Sequence, residues 1–370
     1  MFFHTVDSTI MSTFRSCPQK AFRTYIEHWK PQSESVHLVA GGAFAKGIEV
    51  ARKAFYERGA EPEQAELAGM QALIAAYGDF ECPADSAKSL ERTLGALQFY
   101  FERYPLGADG MVPITFAGGK RGIEFSFATP LPNVVHPVTG DPILYTGRAD
   151  MLAEYLDGIY VVDEKTTSAL GASWSRQWEM RGQFTGYQWA AREAGIQTAG
   201  AVIRGVSILK TKYDTLEAIT YRTPWEIDRW LAQTERDVER MIKCWEDGWW
   251  DYDMGEACGS YGGCSLTSVC KSADPESWLP VRMERRVWDP LARKELTVQE
   301  WEESWGHQAQ TAASVGTTGT PSQTVGPAAT GITGPEAMPT EPSMTFQHHH
   351  QAPSGADGLV PGALEDLFKQ

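Results

Sequence analysis

Apolar residues recur every three or four positions through the first hundred residues, which is the pattern of amphipathic helices. In the first such segment, Ile10, Phe14 and Phe22 follow this spacing, although Pro18 interrupts it. The predicted helices cover residues 8–29, 43–56, 61–76 and 86–104. This part of the chain is therefore expected to be mostly helical.

The pattern changes after Pro105 to alternating or β-branched segments, which predict strands. Asp157-Gly158 is a strong hairpin signal between two of these segments. Residues 131–141 carry Pro, Asn and Gly and are predicted to be a turn region. The predicted strands are 122–128, 143–155, 158–163, 199–209, 215–221 and 281–287, and two further helices are predicted at 174–193 and 224–249.

The packed part of the chain is expected to end near Gly306. All 13 tryptophans precede this residue, and the sequence after it is rich in Thr, Gly, Pro, Ser and Ala. We therefore predict a folded region over residues 1–305 and a disordered tail over 306–370. The folded region divides into a helical part (1–110), a core (111–222) and a C-terminal helix and cysteine region (223–305). The apolar residues 363–368 either dock on a partner, such as a recombination or replication protein, or are simply a terminus.

The net charge of −15 argues against broad, unspecific attraction to nucleic acid. Five acids and one lysine follow Gly306, so −11 belongs to the rest of the chain, and any contact with DNA must be local. No apolar run approaches the roughly 20 residues of a membrane span. The first residues lack the basic start and long apolar segment of a signal peptide, so a cytoplasmic location is expected.

Two of the predicted strands each deliver an acid near one end, Asp150 and Asp163. Strand alternation places Lys165 on the same face as Asp163 and turns the Glu164 side chain away, which leaves the Glu164 backbone carbonyl as a further potential metal ligand. Carboxylates that hold Mg²⁺ can activate water and neutralise a phosphate, and a lysine can stabilise the charge of the transition state. An isolated Asp-x-Lys usually lies on a surface hairpin without a catalytic role. The order and spacing of further motifs therefore decide between a surface hairpin and an active site.

Three short motifs occur in order around these residues: Gly147-x-x-Asp150, Asp163-x-Lys165 and Gln183-x-x-x-Tyr187. Together they resemble the core motifs of the RecB-like nucleases, which belong to the PD-(D/E)XK superfamily. The resemblance implies an α/β fold, namely a mixed β-sheet flanked by helices with a restriction-endonuclease-like core. A helical N-terminal region and a C-terminal cysteine loop would be added to this core.

The resemblance also implies roles for individual residues. Asp150 and Asp163 would bind Mg²⁺ or Mn²⁺, and Lys165 would assist catalysis. Gln183 and Tyr187, one helical turn apart, would help to position DNA and the active site. Glu124, on the preceding strand, is a secondary acidic candidate.

One position departs from the family pattern. Such nucleases often carry a metal-binding histidine in an N-terminal helix, and the segment from Gly42 to Glu49 has Lys46 in that slot. A protonated lysine has no lone pair for a metal. Either Glu49 takes part, or the site manages with the carboxylates alone.

Cys258, Cys264 and Cys270 are separated by five residues each in a glycine-rich loop. In a chain expected to be cytoplasmic, such cysteines are reduced thiols or metal ligands. With Cys17, which precedes a proline, they resemble the iron–sulfur subgroup of this nuclease family, which includes the AddB nuclease domain and the CRISPR adaptation nucleases. The resemblance implies a [4Fe–4S] cluster on these four cysteines. Zinc and ordinary free thiols are the alternatives, and Cys82 and Cys244 are expected to be packing residues.

We therefore predict a metal-dependent DNA exonuclease acting in recombination, repair or phage DNA metabolism. A structure-specific or single-strand endonuclease is the alternative within the enzyme class. A catalytically silent DNA-binding protein on a nuclease fold is the alternative from another class.

Overall fold

The computed structural model describes residues 2–259, 263–292, 294–301 and 303. All of these belong to one compact unit that spans residues 1–314. The predicted tail and its apolar end, 363–368, lie outside the described residues. Among the described helices, none is both long enough and apolar enough to cross a lipid bilayer.

The N-terminal third is helical, but its first predicted helix is broken into shorter pieces. The Asp7 side chain accepts hydrogen bonds from the backbone N–H groups of Thr9 (2.9 Å) and Ile10 (2.7 Å) and so starts the first helix. The break comes at Cys17, whose backbone is extended, because Pro18 cannot donate to the preceding turn. The elements are α1 (Ser8–Ser16), α2 (Pro18–Ala21), a π-helical turn (Phe22–Ile26), α3 (Val36–Tyr56), α4 (Pro62–Tyr77) and α5 (Leu90–Arg103).

The centre of the molecule is a seven-stranded mixed sheet. Its strands are β1 (Thr5–Asp7), β3 (Val112–Pro113), β4 (Ile123–Val135), β5 (Pro142–Tyr155), β6 (Gly158–Thr167), β7 (Gly200–Ile208) and β8 (Tyr213–Thr220). The path through the sheet is β1-β5-β6-β7-β8, and β3 and β4 pair with β5. The β1–β5 and β6–β7 pairs are parallel and the others antiparallel.

Helices cover both faces of this sheet. On β7, Val206 and Ile208 pack under α3, α4 and α5, whereas Ala201 and Ile203 pack on the opposite face. The second face is covered by α6 (Ala172–Arg176) and α7 (Gly182–Glu193), and by α8 (Pro224–Asp247) beside them. The predicted mixed sheet flanked by helices is confirmed.

Two local predictions were wrong. Residues 131–135 continue strand β4 instead of forming a turn. Among the described strands β4 pairs only with β5, and such an edge strand tolerates prolines because their missing N–H groups can face away from the ladder. The predicted helix 174–193 is divided between α6 and α7. The division lets Trp174 and Trp178 both turn inward, where their rings meet edge to face at 5.5 Å.

The C-terminal part folds back on the N-terminal part. Its elements are α9 (Thr267–Cys270), α10 (Pro275–Arg282), β9 (Met283–Asp289) and β10 (Lys294–Thr297), and β9 pairs with both β10 and β2 (Trp29–Pro31). Arg23 forms an ion pair with Glu276 at 2.8 Å. The backbone N–H of Gln19 donates to the carbonyl of Asp251 at 2.9 Å. The cysteine region is thereby placed beside the break between α1 and α2.

Candidate active site

Asp150 and Asp163 lie side by side at the point where two central strands separate. The β5–β6 ladder runs from Tyr155–Gly158 to Met151–Val162 and ends one residue before the two acids. Beyond this end, the backbone N–H of Glu164 donates to Asp150 Oδ2 at 2.9 Å. Asp163 is only 2 % exposed. The fold therefore brings two predicted site residues, 13 positions apart in the sequence, into one buried corner.

The charges in this corner are strongly coupled. Burial, and after it the neighbouring carboxylates of Asp163 and Glu164, raise the pKa of Asp150 well above its usual value. Lys165 forms an ion pair with Asp163. Burial disfavours its charged form, but Asp163 and Asp150 together raise the pKa of Lys165 above its usual range. While no metal occupies the corner, these two carboxylates therefore favour the charged form of Lys165.

Glu164 points to the opposite face of the sheet, as the strand alternation predicts. Its buried carboxylate receives both terminal nitrogens of Arg52 on α3, with Nη1 at 3.0 Å, and the hydroxyl of Tyr100 on α5 at 3.0 Å. Although burial opposes ionisation, Arg52 lowers the pKa of Glu164. The side chain is thus fully engaged, and only the backbone carbonyl of Glu164 remains as a potential metal ligand.

Arg52 was not predicted from the sequence. A local signal was present, because Phe44, Ile48 and Arg52 follow one another at intervals of four along the buried stripe of α3. A charged residue in such a stripe requires a buried partner. The partner, Glu164, lies 112 residues further along the chain. The sequence alone did not indicate that its strand packs against α3.

The third predicted motif joins the same corner. Gln183 Nε2 donates to the Tyr187 hydroxyl at 2.9 Å on α7, and Tyr187 is buried. Gly147 on β5 leaves room for this tyrosine, because a Cβ atom there would lie 2.9 Å from Tyr187 Cε1 and 2.5 Å from Phe127 Cζ. Tyr187 also contributes to the electrostatic environment of Lys165. The structure therefore assembles all three motifs.

Glu124 lies near the two acids but is held by a cation. Arg148 Nε contacts Glu124 Oε2 at 2.6 Å, and Glu124 adopts a left-handed backbone conformation (φ 56°) that is uncommon for this residue type. Burial raises the pKa of Glu124, and its charge in turn contributes to the raised pKa of Asp150. Glu124 therefore lies beside Asp150 on the neighbouring strand, with its charge already paired to Arg148.

Lys46, in the slot expected for a histidine, binds Glu49 on the same helix. Its Nζ lies 2.9 Å from Glu49 Oε2, and Lys53 Nζ lies 2.7 Å from the other carboxylate oxygen. Although burial opposes ionisation, these two lysines lower the pKa of Glu49. The Glu49 carboxylate is thus occupied on both oxygens.

The four predicted cluster cysteines come from separate segments that converge. Burial raises the pKa of the Cys270 thiol, and the neighbouring Cys264, Cys17 and Cys258 raise it further. All four are free thiols, and residues 260–262 of the connecting loop lie outside the described residues. The four cysteines therefore lie near one another and form no disulfide with each other.

Neither the corner of Asp150 and Asp163 nor the group of four cysteines presents a complete set of metal ligands among the described residues. Within the described ranges, no three His, Cys, Asp or Glu side chains are grouped so that they would hold a metal ion. At the corner of Asp150 and Asp163, the two carboxylates repel each other in a buried setting, and this chemistry suits a divalent cation. At the cysteines, the thiols converge without forming a ligand set, so they do not fit a cluster as placed.

Comparison with known proteins addresses the whole arrangement. Residues 8–271 match the family model of the PD-(D/E)XK nuclease superfamily. No curated protein sequence matches the chain. A solved structure from Eubacterium rectale, provisionally assigned as an exonuclease, is similar at 13 % identity and a TM-score of 0.44, with 69 % of this chain and 87 % of that chain covered. The solved structure of SSO0001 is similar at 16 % identity and a TM-score of 0.23, with 54 % and 74 % covered.

The family match spans more than two thirds of the chain and contains all three motifs of the buried corner. The two solved structures, with TM-scores below 0.5, add nothing about its activity. The chain belongs to the PD-(D/E)XK nuclease superfamily.

Proposed function

We propose that this nuclease is a metal-dependent deoxyribonuclease that degrades DNA from an end, with Asp150, Asp163 and Lys165 as its catalytic centre. The observation that carries this assignment is the pairing of Asp150 with Asp163 at the separation of β5 and β6. Lys165 compensates the charge of Asp163, but a second buried carboxylate beside this pair, that of Asp150, is unfavourable unless a further cation or a proton compensates it. A divalent cation is the compensating group that phosphodiester hydrolysis requires.

Asp150, Asp163 and the backbone carbonyl of Glu164 would hold Mg²⁺ or Mn²⁺. When bound, the ion would supply Lewis-acid activation of the phosphodiester and of water. Lys165, in its charged form, would stabilise the negative charge that develops on the phosphate oxygens. Gln183 would help to position the DNA strand, and the buried Tyr187, which accepts a hydrogen bond from Gln183, would help to position the active site. We assign Glu124 only a secondary role, because Arg148 already balances its charge.

We assign no second set of metal ligands to helix α3. Both oxygens of Glu49 are engaged by lysines, and Lys46 presents an ammonium group where a histidine would offer a lone pair. The site would then work with the carboxylates of β5 and β6.

We favour an exonuclease over an endonuclease because the proposed catalytic carboxylate is so deeply placed. Asp163 is buried, and a free strand end can approach a buried carboxylate with less distortion than the interior of a closed circle. The proposed setting in recombination, repair or phage DNA metabolism, and a cytoplasmic location, rest on the resemblance to RecB-like nucleases alone.

We also propose that Cys17, Cys258, Cys264 and Cys270 bind a [4Fe–4S] cluster. The proposal is supported by the approach of Cys17, at the break between α1 and α2, to the three cysteines of the C-terminal region. Since the thiols do not form a ligand set as placed, the cysteine loop would have to tighten around the cluster. Protein purified without oxygen should then show a broad absorption band near roughly 400 nm and contain iron. Colourless, iron-free protein would contradict the cluster and leave zinc or free thiols.

The exonuclease assignment is tested with the full chain on two kinds of substrate, linear DNA and closed circular DNA. End-labelled linear DNA, single- and double-stranded, and a covalently closed circle are incubated with Mg²⁺ or Mn²⁺. Degradation of the linear DNA alone is expected. Cleavage of the circle would identify an endonuclease, and DNA binding without cleavage across a panel of divalent metals would identify a silent DNA-binding protein.

A further inference from the structure

A cavity of about 530 Å³ opens beside Gln183, where helices α1, α7 and α8 meet. Gln183 lines it, and the same amide donates to the Tyr187 hydroxyl next to Lys165. The cavity therefore shares Gln183 with the third motif of the proposed catalytic corner. Its volume falls within the usual range for sites of small-molecule size, roughly 300–1,000 Å³.

The walls of the cavity carry no carboxylate. No aspartate or glutamate is among its lining residues, although the whole chain has a net charge of −15. Helix α1 contributes the hydroxyl groups of Ser8, Thr9 and Ser12, and Arg15 and Arg181 contribute guanidinium groups. Hydroxyl and guanidinium groups without acids are the donors that bind phosphate oxygens.

The two arginines differ in what already holds them. Arg15 Nε lies 2.6 Å from Asp237 Oδ2, a buried carboxylate behind the cavity wall, so its charge is offset. Arg181 is exposed, and its side chain forms neither an ion pair nor a hydrogen bond with any residue in the described part of the chain. Arg181 therefore supplies the uncompensated positive charge at this cavity.

Apolar surface lies next to these donors. Met180 is 77 % exposed beside Arg181, and the half-buried Trp230 forms part of the lining. An unpaired base can stack on such surfaces, whereas a base inside a duplex has both faces covered by its neighbours. Polar donors for the backbone and apolar faces for a base thus occur in one cavity of about nucleotide size.

We propose that this cavity binds a single, unpaired DNA strand beside the bond that is cut, with Arg181 taking a backbone phosphate and Met180 and Trp230 contacting a base. The substrate class would then be single-stranded DNA or the unpaired end of a duplex. This inference rests on the proposed function, since Gln183 belongs both to the cavity and to the proposed site. A paired duplex, with two backbones and stacked bases, does not fit a cavity of this size.

The test uses the full chain and the variants Arg181→Ala and Arg181→Lys. Arg176→Ala is the matched control, because Arg176 is equally exposed, lies five residues earlier and is outside the cavity. Binding of a fluorescent single-stranded oligonucleotide is measured by anisotropy without divalent metal, over a series of salt concentrations. In parallel, Mn²⁺-dependent hydrolysis of the oligonucleotide and of bis(p-nitrophenyl) phosphate, which is too short to span the cavity, is measured.

Arg181→Ala is expected to weaken single-strand binding about tenfold and to reduce the salt slope by about 0.7, the value for one lost phosphate contact on a single strand. It should raise the KM for the oligonucleotide more than it affects the small diester, and Arg181→Lys should recover part of the loss. Wild-type affinity for Arg181→Ala, or an equal loss for Arg176→Ala, would overturn the inference. Tighter binding of the matching duplex than of the single strand would overturn it too.

The test distinguishes a failure of the cavity assignment from a failure of the proposed nuclease activity. If Arg181 governs binding but neither substrate is hydrolysed with any metal, the strand-binding cavity stands and the proposed activity does not. If hydrolysis is metal-dependent but independent of Arg181, the activity stands and the cavity assignment does not.

Discussion

Arg52 and Glu164 form a two-point ion pair beneath the candidate active site, with Arg52 Nη1 3.0 Å from Glu164 Oε2 and Nη2 bound to the other oxygen. Both side chains are buried. Because Glu164 stands between Asp163 and Lys165, this pair fixes the strand that carries both. A residue outside all three sequence motifs therefore holds the proposed catalytic strand in place.

Arg52→Met should destabilise the protein by about 3–5 kcal/mol, because it leaves the Glu164 carboxylate buried without its partner. The double variant Arg52→Met/Glu164→Leu should recover much of the loss, since neither charge then remains. Thermal unfolding measures the stability of the single and the double variant. Arg58→Met is the control, because Arg58 is an exposed arginine just after α3, and it should stay within about 0.5 kcal/mol of wild type. An unchanged midpoint for Arg52→Met would show that the pair does not anchor β6.

Gly147→Ala should lower both stability and DNA cleavage. The added Cβ would press on Phe127 and on Tyr187, whose hydroxyl receives Gln183, and overpacking of this kind typically costs about 1–3 kcal/mol. Gly42→Ala on α3 is the matched control. Apart from its chain neighbours and the backbone of its own helix, no atom would lie within 4 Å of the added Cβ, so helix propensity should give a gain of roughly 0.5–1 kcal/mol. Denaturant unfolding and a cleavage assay check the pair, and a Gly147→Ala protein with full stability and activity would contradict it.

Asp150→Asn should stabilise the metal-free protein at neutral pH. Burial and the neighbouring carboxylates raise the folded-state pKa of Asp150 above its unfolded value, so ionisation costs stability as the pH rises from about 4 through that pKa. Asparagine removes this cost and keeps an oxygen for the Glu164 N–H. We expect a rise of a few degrees in the melting temperature at pH 7 that vanishes near pH 3; a fall at pH 7 would contradict the carboxylate coupling.

Metal should stabilise the wild-type protein and not this variant. Ligand binding to the native state adds RT ln(1 + [L]/Kd), which is about 2.7 kcal/mol at one hundred times Kd. A Mn²⁺ titration followed by melting temperature should therefore raise the wild-type curve and leave Asp150→Asn nearly flat. Equal shifts for both proteins would place the metal elsewhere.

The sequence predicted the residues of the proposed catalytic corner better than the residues that hold them in place. Asp163, Lys165 and Glu164 could be assigned to opposite faces because strand alternation is a local rule, and the Asp157-Gly158 turn aligned β5 with β6. Arg52 and Tyr100 reach Glu164 from other helices, and such contacts depend on the packing of α3 and α5 over the sheet. Pro132 misled the prediction of where β4 ends. A strand tolerates proline when it lies at the edge of a sheet, and edge position is a property of the whole sheet.

The most direct measurement of the central claim is metal-dependent degradation of end-labelled linear DNA by Asp163→Asn and Lys165→Met. Asp157→Asn, in the exposed turn between the same strands, and Lys210→Met, an exposed lysine, are the controls. We expect the first two variants to lose at least about a hundredfold in rate while keeping wild-type circular dichroism, and the controls to stay active. Full Mg²⁺- or Mn²⁺-dependent activity in folded Asp163→Asn and Lys165→Met would contradict the assignment of the catalytic centre.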